Sequence, residues 1–228
     1  MDAAEFDRYA EAYERQHAEN IAISGEGPDY FARYKVTDTK AKCDEIGLEA
    51  SRILDFGAGI GNSISYFQEY FSESRIVAAD VSKKSLEILE RRHTNSIERL
   101  VITECLELPN NSIDLAFTAC VFHHIPANEH LYWLREIRRV LKPGGLFALF
   151  EHNPYNPLTV RAVNTCPFDE NAVLIKAKAM KLRLKNAGWD HVDIRFRIFF
   201  PNFVRFLRPL ERFMTKIPFG AQYVLFMK

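Results

Sequence analysis

The chain has 228 residues, 47% hydrophobic and 26% charged, with Lys plus Arg and Asp plus Glu both at 30. This composition excludes a disordered or fibrous protein, and the charge balance removes any overall attraction to nucleic acid. Four widely spaced cysteines, Cys43, Cys105, Cys120 and Cys166, lack metal-ligand spacing, so free thiols, no metal and a cytoplasmic setting are expected.

In chain order, the first fifty residues predict two helices. Phe6, Tyr9, Ala10 and Tyr13 recur at helical spacing, as do Tyr30, Phe31 and Tyr34, and Ser24-Gly25-Glu26-Gly27-Pro28 supplies the turn between them. The pair is expected to lie across the mouth of a sheet as a helical cap. Simple core packing is the competing reading for Phe6 and Phe31. The first residues are not expected to act as a signal peptide, and no apolar stretch approaches the ~20 residues of a membrane-spanning helix.

From residue 51, short runs rich in β-formers alternate with helical patterns. The strands predicted are Arg52 to Phe56, Ile76 to Asp80, Leu100 to Glu104, Ile113 to Ala119 and Leu146 to His152. Ser82 to His93 and Glu129 to Leu141 read as helices, the second stopped by Lys142-Pro143-Gly144-Gly145. Such alternation implies a parallel sheet covered on both faces, with ligands at the carboxyl ends of its strands. Ala172 to Ala187 reads as a further helix. His191 to Phe200 then alternates with period two, and Tyr223 to Phe226 closes the chain as a strand. The short connection between these last two strands favours an antiparallel hairpin. The fold expected is therefore α/β, a doubly wound, Rossmann-like seven-stranded sheet with an antiparallel C-terminal strand. It forms a single domain: cap 1–50, cofactor-binding core 51–152, and acceptor-side loop, helix and hairpin 153–228.

The most telling local pattern is Asp55-Phe56-Gly57-Ala58-Gly59-Ile60-Gly61, after the first strand, with Asp80 ending the second. Glycines let backbone approach a ligand, and an acid about twenty residues on accepts hydrogen bonds from ribose hydroxyls. The G-x-G-x-G spacing departs from the G-x-G-x-x-G of pyrophosphate binding. An acid at Asp55 suits a cofactor carrying a cation rather than phosphates.

The series from Ile53 to Leu149 resembles the class I S-adenosylmethionine-dependent methyltransferases of the small-molecule type. Besides the glycine motif and Asp80-Val81-Ser82, Glu104-Cys105-Leu106-Glu107-Leu108-Pro109 stands where that family often has D-A-x-x-L-P. Asn111-Ser112-Ile113-Asp114-Leu115 resembles N-S-F-D-L, and the Leu134 to Gly145 helix and turn is the most recognisable part. The resemblance implies S-adenosylmethionine as cofactor. Gly57, Ala58, Gly59 and Gly61 would line its methionine part, with Asp55 at the amino group. Asp80 would take the ribose, Val81 the adenine face, and Glu104 and Cys105 the adenine edge, where the usual Asp-Ala is replaced. Carbonyls near Ala119 and Cys120 would meet the ammonium. Apart from the resemblance, Tyr9 and Tyr13 of the cap are also expected among the cofactor-binding residues.

Methyl transfer by in-line displacement needs alignment, exclusion of water and removal of any proton on the nucleophile. His123 and His124 after the fourth strand, and Glu151 and His152 after the fifth, are the catalytic candidates, histidine being suited to proton removal near neutral pH. The segments 151–157 and 164–169, rich in Asn, His and Asp, are expected with cap tyrosines to bind a small polar acceptor, sugar-like or phosphorylated. Asp114 and Pro143-Gly144-Gly145 read as structural, and Arg135, Arg138 and Arg139 as a solvated helix face. In 201–216, helical spacing would put Phe203, Phe206, Leu207, Leu210 and Phe213 on one face, with Arg205, Arg208 and Arg212 opposite. Resting on anionic membrane or recognising a phosphorylated substrate are the candidate uses, against a homo-oligomer contact or a lid over the core, although Pro209 argues against one straight helix. Two rivals to the enzyme remain: a cofactor-binding sensor or partner subunit without catalysis, and a nicotinamide-dependent dehydrogenase.

Overall fold

The computed structural model describes residues 7, 21, 24–93 and 97–228. Phe6, Tyr9, Ala10 and Tyr13, and the first predicted helix with them, lie outside the described residues.

Helix α1 (Pro28–Ile46) precedes β1 (Arg52–Phe56), α2 (Ile64–Tyr70), β2 (Arg75–Asp80), α3 (Lys83–Arg92), β3 (Glu98–Val101) and β4 (Ile113–Ala119). Then follow α4 (His130–Val140), β5 (Leu141–His152), α5 (Pro157–Asn164), α6 (Ala177–Asn186), β6 (Val192–Arg197), α7 (Glu211–Met214) and β7 (Gln222–Met227). The strands form a seven-stranded sheet in the order β3-β2-β1-β4-β5-β7-β6. β1 to β5 pair in parallel, and β7 runs antiparallel to both β5 and β6. The expected terminal hairpin is present, with β7 inserted between its partner and the parallel sheet.

Strand residues alternate between two cores, as period two requires. Leu54 and Phe56 join Ile137 of α4 and Met180 of α6 on one face. Ile53 and Phe117 join Val36 of α1, Phe67 of α2 and Leu89 of α3 on the other. Helix α1 thus covers a sheet face along much of its length. The Arg197 guanidinium donates to Asp38 at 2.8 and 2.6 Å, Arg195 donates to Glu45 at 2.9 Å, and Tyr34 Oη donates to Gln222. These bonds clamp α1 to the hairpin and aim its first two turns at the strand ends.

Some boundaries shift for tertiary reasons. β3 starts earlier than expected because its register is set by β2, from Val77↔Glu98 to Asp80↔Val101, on an exposed sheet edge where apolar content says little. The predicted helix from Ala172 starts at Ala177, since the Val173 amide is drawn to the His123 carbonyl at 2.8 Å. Arg139 is no solvated side chain: it donates to the Leu106 and Leu108 carbonyls at 2.8 and 2.9 Å and fastens the loop after β3. Asp114 accepts from the Arg52 amide at 2.9 Å and from Lys142 at 2.7 Å, a structural role that ties β4 to its neighbours.

Candidate active site

The turn after β1 sits at the carboxyl edge of the sheet. Gly57, Gly59 and Gly61 have φ of 79°, 53° and 84°, a region costly for residues with a Cβ. Gly57 and Ala58 donate to the Ala79 carbonyl at 2.8 and 3.1 Å, which locks the turn onto β2. The Asp80 carboxylate accepts from the Gly59 and Ser82 amides, each at 2.8 Å, so its position is fixed from both sides.

One cavity opens over this turn. Asp55, Gly57, Ala58, Gly59, Asp80, Val81, Ala119, Cys120, His123, His124 and His152 all line it. Among the described residues, three expected cofactor residues do not. Gly61 is packed away, where a Cβ would meet Leu89 Cγ at 2.7 Å and His93 Nε2 at 2.9 Å. Glu104 is exposed, its carbonyl taken by Tyr132 Oη at 2.6 Å, and neither it nor Cys105 reaches the wall, which Ile102 supplies instead.

The cavity's electrostatics suit a zwitterion. Burial, then the neighbouring Asp80 charge, pushes the Asp55 carboxyl up to about 7, while Lys35 opposes the rise. Burial also raises Asp80, against the amides of Ser82 and Gly59. Lys35, buried on α1, lines the same cavity. Its ammonium meets Cys120 Sγ at 3.7 Å and has no carboxylate partner among the described residues. Two buried acids repel a dinucleotide's phosphates but complement an amino acid's ammonium, and a buried lysine complements its carboxylate. S-adenosylmethionine fits this set; a nicotinamide dinucleotide does not.

The same cavity is lined by a histidine–carboxylate cluster. Glu151, fully buried behind the wall, accepts from the Val121 amide at 3.1 Å, the Phe122 amide at 2.7 Å and His123 Nδ1 at 2.6 Å. Asp169, brought in by a short turn after α5, stands 3.3 Å from His124 Nε2 and 3.6 Å from His123 Nε2. The second separation is beyond hydrogen-bond reach, so the buried His123 Nε2 has no partner. Burial opposes charge on His123, but Glu151 and Asp169 outweigh it and hold the imidazole well above its usual pKa. Burial and the His123 charge depress His124 and take His152 down to about 4, so both are neutral at pH 7. Asp169 and Glu151 stay ionised despite burial because the histidines stabilise their charge.

His123, His124 and Asp169 each offer an atom within 4.8 Å of the others, a donor set able to hold a metal ion. Sequence spacing could not show it, since Asp169 comes from a distant turn.

Residues 54–149 match the model of a methyltransferase domain. The trans-aconitate 2-methyltransferase of Azoarcus sp. is 28% identical over 62% of this chain and 54% of its own length. A ubiquinone/menaquinone biosynthesis C-methyltransferase of Hahella chejuensis is 28% identical over 55% and 53%. The fatty-acid O-methyltransferase of Mycolicibacterium smegmatis is 25% identical over 55% and 46%. The chain spans about half the length of these curated relatives. A solved SAM-dependent methyltransferase of Thermotoga maritima superposes with a TM-score of 0.66 at 16% identity, covering 99% of this chain and 98% of that one. This chain is thus similar to methyltransferases over residues 54–149, and its fold is that of a solved SAM-dependent methyltransferase.

Beyond the matched residues, two asparagines of the acceptor-side segments have bracing roles, while His152 and Asp169 of the same segments line the cavity. Asn153 is buried and braces the neighbouring loop, its amide donating to the Pro218 and Gly220 carbonyls at 3.0 and 2.7 Å. Asn156 caps α5 and donates to the Phe219 carbonyl at 2.9 Å, while still reaching the cavity. The cavity wall on this side is mainly apolar: Phe31, Leu158, Ala162, Val163, Phe199 and Pro201. Cys120 and Ile198, at φ of 61° and 63°, are non-glycine residues in a strained region, and both line the cavity.

Sequence reasoning missed Lys35 and Gln222. Gln222 lies opposite His152 across the β5–β7 pair and donates to Cys120 Sγ at 3.8 Å. A lysine on the buried stripe of α1 was the one available signal for the former. Nothing local marks the latter.

Proposed function

We propose that this chain transfers the methyl group of S-adenosylmethionine to a proton-bearing nucleophile on a small amphiphilic molecule. The observation that carries this reading is one cavity joining the glycine turn, with Asp55, Asp80 and Lys35, to the cluster of His123, His124, His152 and Asp169. S-adenosylmethionine supplies an electrophilic methyl on a sulfonium, which needs no further activation.

On this reading Lys35 pairs with the donor's carboxylate, Asp55 holds its ammonium, Asp80 takes the ribose hydroxyls, and Val81 with Ile102 flanks the adenine. His124, steadied by Asp169, and the neutral His152 are the proton acceptors. Glu151 and His123 act as positioning residues: the buried pair fixes the cluster, and the unpartnered His123 Nε2 offers a donor to the acceptor's polar group. A polar, sugar-like acceptor was expected from the loop sequences. The apolar wall and the bracing roles of Asn153 and Asn156 favour a nonpolar body with a polar head. Two relatives carry names of that kind, a fatty-acid and a quinone-pathway methyltransferase.

Calorimetry with S-adenosylhomocysteine, set beside NAD, tests the binding half, and labelled donor incubated with fractionated metabolites tests transfer. The demethylated product should bind and NAD should not, and Lys35→Met should weaken binding by ~10–100-fold, the worth of a charged hydrogen bond. Binding without transfer to any fraction would support the sensor or partner-subunit reading instead.

The raised Asp55 pKa gives a signed pH dependence. Above about 7 the carboxylate is ionised and attracts the ammonium; below it the group is neutral. The association constant should therefore drop by up to ~10-fold per pH unit on the acid side, and Asp55→Asn should flatten the slope. Linkage runs the other way for folding. The folded-state pKa lies above the 3.8 of the unfolded carboxyl, so the ligand-free protein loses stability as pH rises from ~4 to ~7. Asp55→Asn should consequently unfold at higher temperature than the wild type at pH 8.

A further inference from the structure

We propose that residues 201–219 form a docking surface for an anionic phospholipid bilayer, which presents the acceptor at the cavity mouth. The inference rests on the methyl-transfer reading only for what the acceptor is; the docking itself stands on the surface.

Within this segment Phe203 is 81% exposed, Phe206 73%, Phe213 72% and Phe219 63%. Large apolar side chains this exposed, gathered within one short segment, mark a candidate interaction site. The backbone explains why they stay outside. Asn202–Leu210 is 3₁₀ with a break at Val204, and neither it nor α7 buries a residue in the core. The segment is nonetheless tethered. Arg208 donates to Glu26 at 2.8 Å and lies 4.7 Å from the Tyr30 ring, Asn202 donates to the Gly25 carbonyl at 2.9 Å, and Asn153 and Asn156 hold residues 218–220. These ties keep the phenylalanines beside the cavity, whose rim includes Pro201 and the half-exposed Leu158.

Charge decides which partner fits. Between residues 201 and 220 the chain has Arg205, Arg208, Arg212 and Lys216 against one acid, Glu211. Glu211 is turned inward, accepting from the Phe199 and Phe200 amides at 3.0 and 2.9 Å. The exposed Arg205 and Arg212 have no carboxylate partner among the described residues. Exposed aromatics interleaved with guanidinium groups that have no carboxylate partner among the described residues match an interface of acyl chains beneath anionic headgroups. An apolar partner protein would not call for the arginines. An amphiphilic acceptor residing in that interface could enter the apolar half of the cavity without crossing water.

The test is flotation of the full chain with vesicles of phosphatidylcholine alone and of phosphatidylcholine mixed with phosphatidylglycerol, without methyl donor. Binding to the mixed vesicles only is expected, weakening with salt. Arg205→Glu with Arg212→Glu should reduce it by at least ~30-fold, at about 1 kcal/mol for each basic group lost. Replacing Phe203, Phe206 and Phe213 with serine should abolish it, while calorimetric binding of S-adenosylhomocysteine stays intact and shows that the variants fold. Absence of wild-type binding, equal binding by the serine variant, or a dimer in sedimentation that this variant dissociates would each overturn the proposal. Failure to bind S-adenosylhomocysteine would sink the methyl-transfer reading instead, whatever the vesicles show.

Discussion

Gly57→Ala should abolish donor binding and lower stability by roughly 2–5 kcal/mol, combining the penalty of a left-handed alanine with overpacking. An added Cβ would lie 2.3 Å from Val121 Cγ2 and 2.9 Å from Val121 Cγ1, with the backbone held at a φ of 79°. Because Gly57 is pinned to the Ala79 carbonyl, the turn cannot retreat without breaking that bond to β2. The obstacle is a neighbouring side chain, so adding Val121→Ala should recover the packing part of the loss and leave only the backbone cost of about 1–2 kcal/mol. Chemical denaturation of the single and double variants measures the split, and calorimetry shows whether donor binding returns. A single variant that binds normally would mean that the turn is not the cradle.

The second large effect is expected at Glu151. Alanine there strands three donors at once, the part-buried Val121 amide and the buried Phe122 amide and His123 Nδ1, and should cost about 3–5 kcal/mol, as when one partner of a buried ion pair is removed. Glutamine is the sharper probe. With its oxygen accepting from the two amides, it sets its amide nitrogen against His123. The imidazole then loses the charge that holds its pKa up, becomes neutral nearer to ordinary pH, and can reverse its tautomer. Turnover should drop by ~10²–10⁴-fold, the usual range for disturbing proton transfer, with donor affinity little changed. NMR of the imidazole protons should show His123 titrating at lower pH in Glu151→Gln than in the wild type. Unchanged turnover beside a shifted His123 titration would leave the pair as packing alone.

Both effects depend on residues that the sequence picked out, yet for different reasons. Gly57 and Asp80 were visible because their roles are local: a strand, a turn needing positive φ, and an acid at the next strand end follow one another along the chain. Glu151 and the three histidines were visible as candidates, but their division of labour was not. That His123 is the charged member, and His124 and His152 the neutral ones, follows from Asp169 and Glu151 closing on His123 from two sides. Gly61 shows the converse. Its place in the motif suggested a cofactor contact, and its surroundings show that it makes room for Leu89 and His93. The adenine-edge pair Glu104 and Cys105 likewise matched a motif position, and the loop fastened by Arg139 presents Ile102 to the cavity instead.

By itself, the sequence determined the alternation of strands and helices, the glycine turn, Asp80 and the terminal hairpin. Each is written in backbone preference and side-chain period over a few neighbouring residues. Only the tertiary structure decided that Lys35 and Asp169 face the same cavity, that β7 enters between β5 and β6, and that the phenylalanines of 201–219 remain uncovered. Those outcomes depend on which surfaces meet after folding. A periodic pattern names a face that could be buried, and packing alone settles what covers it.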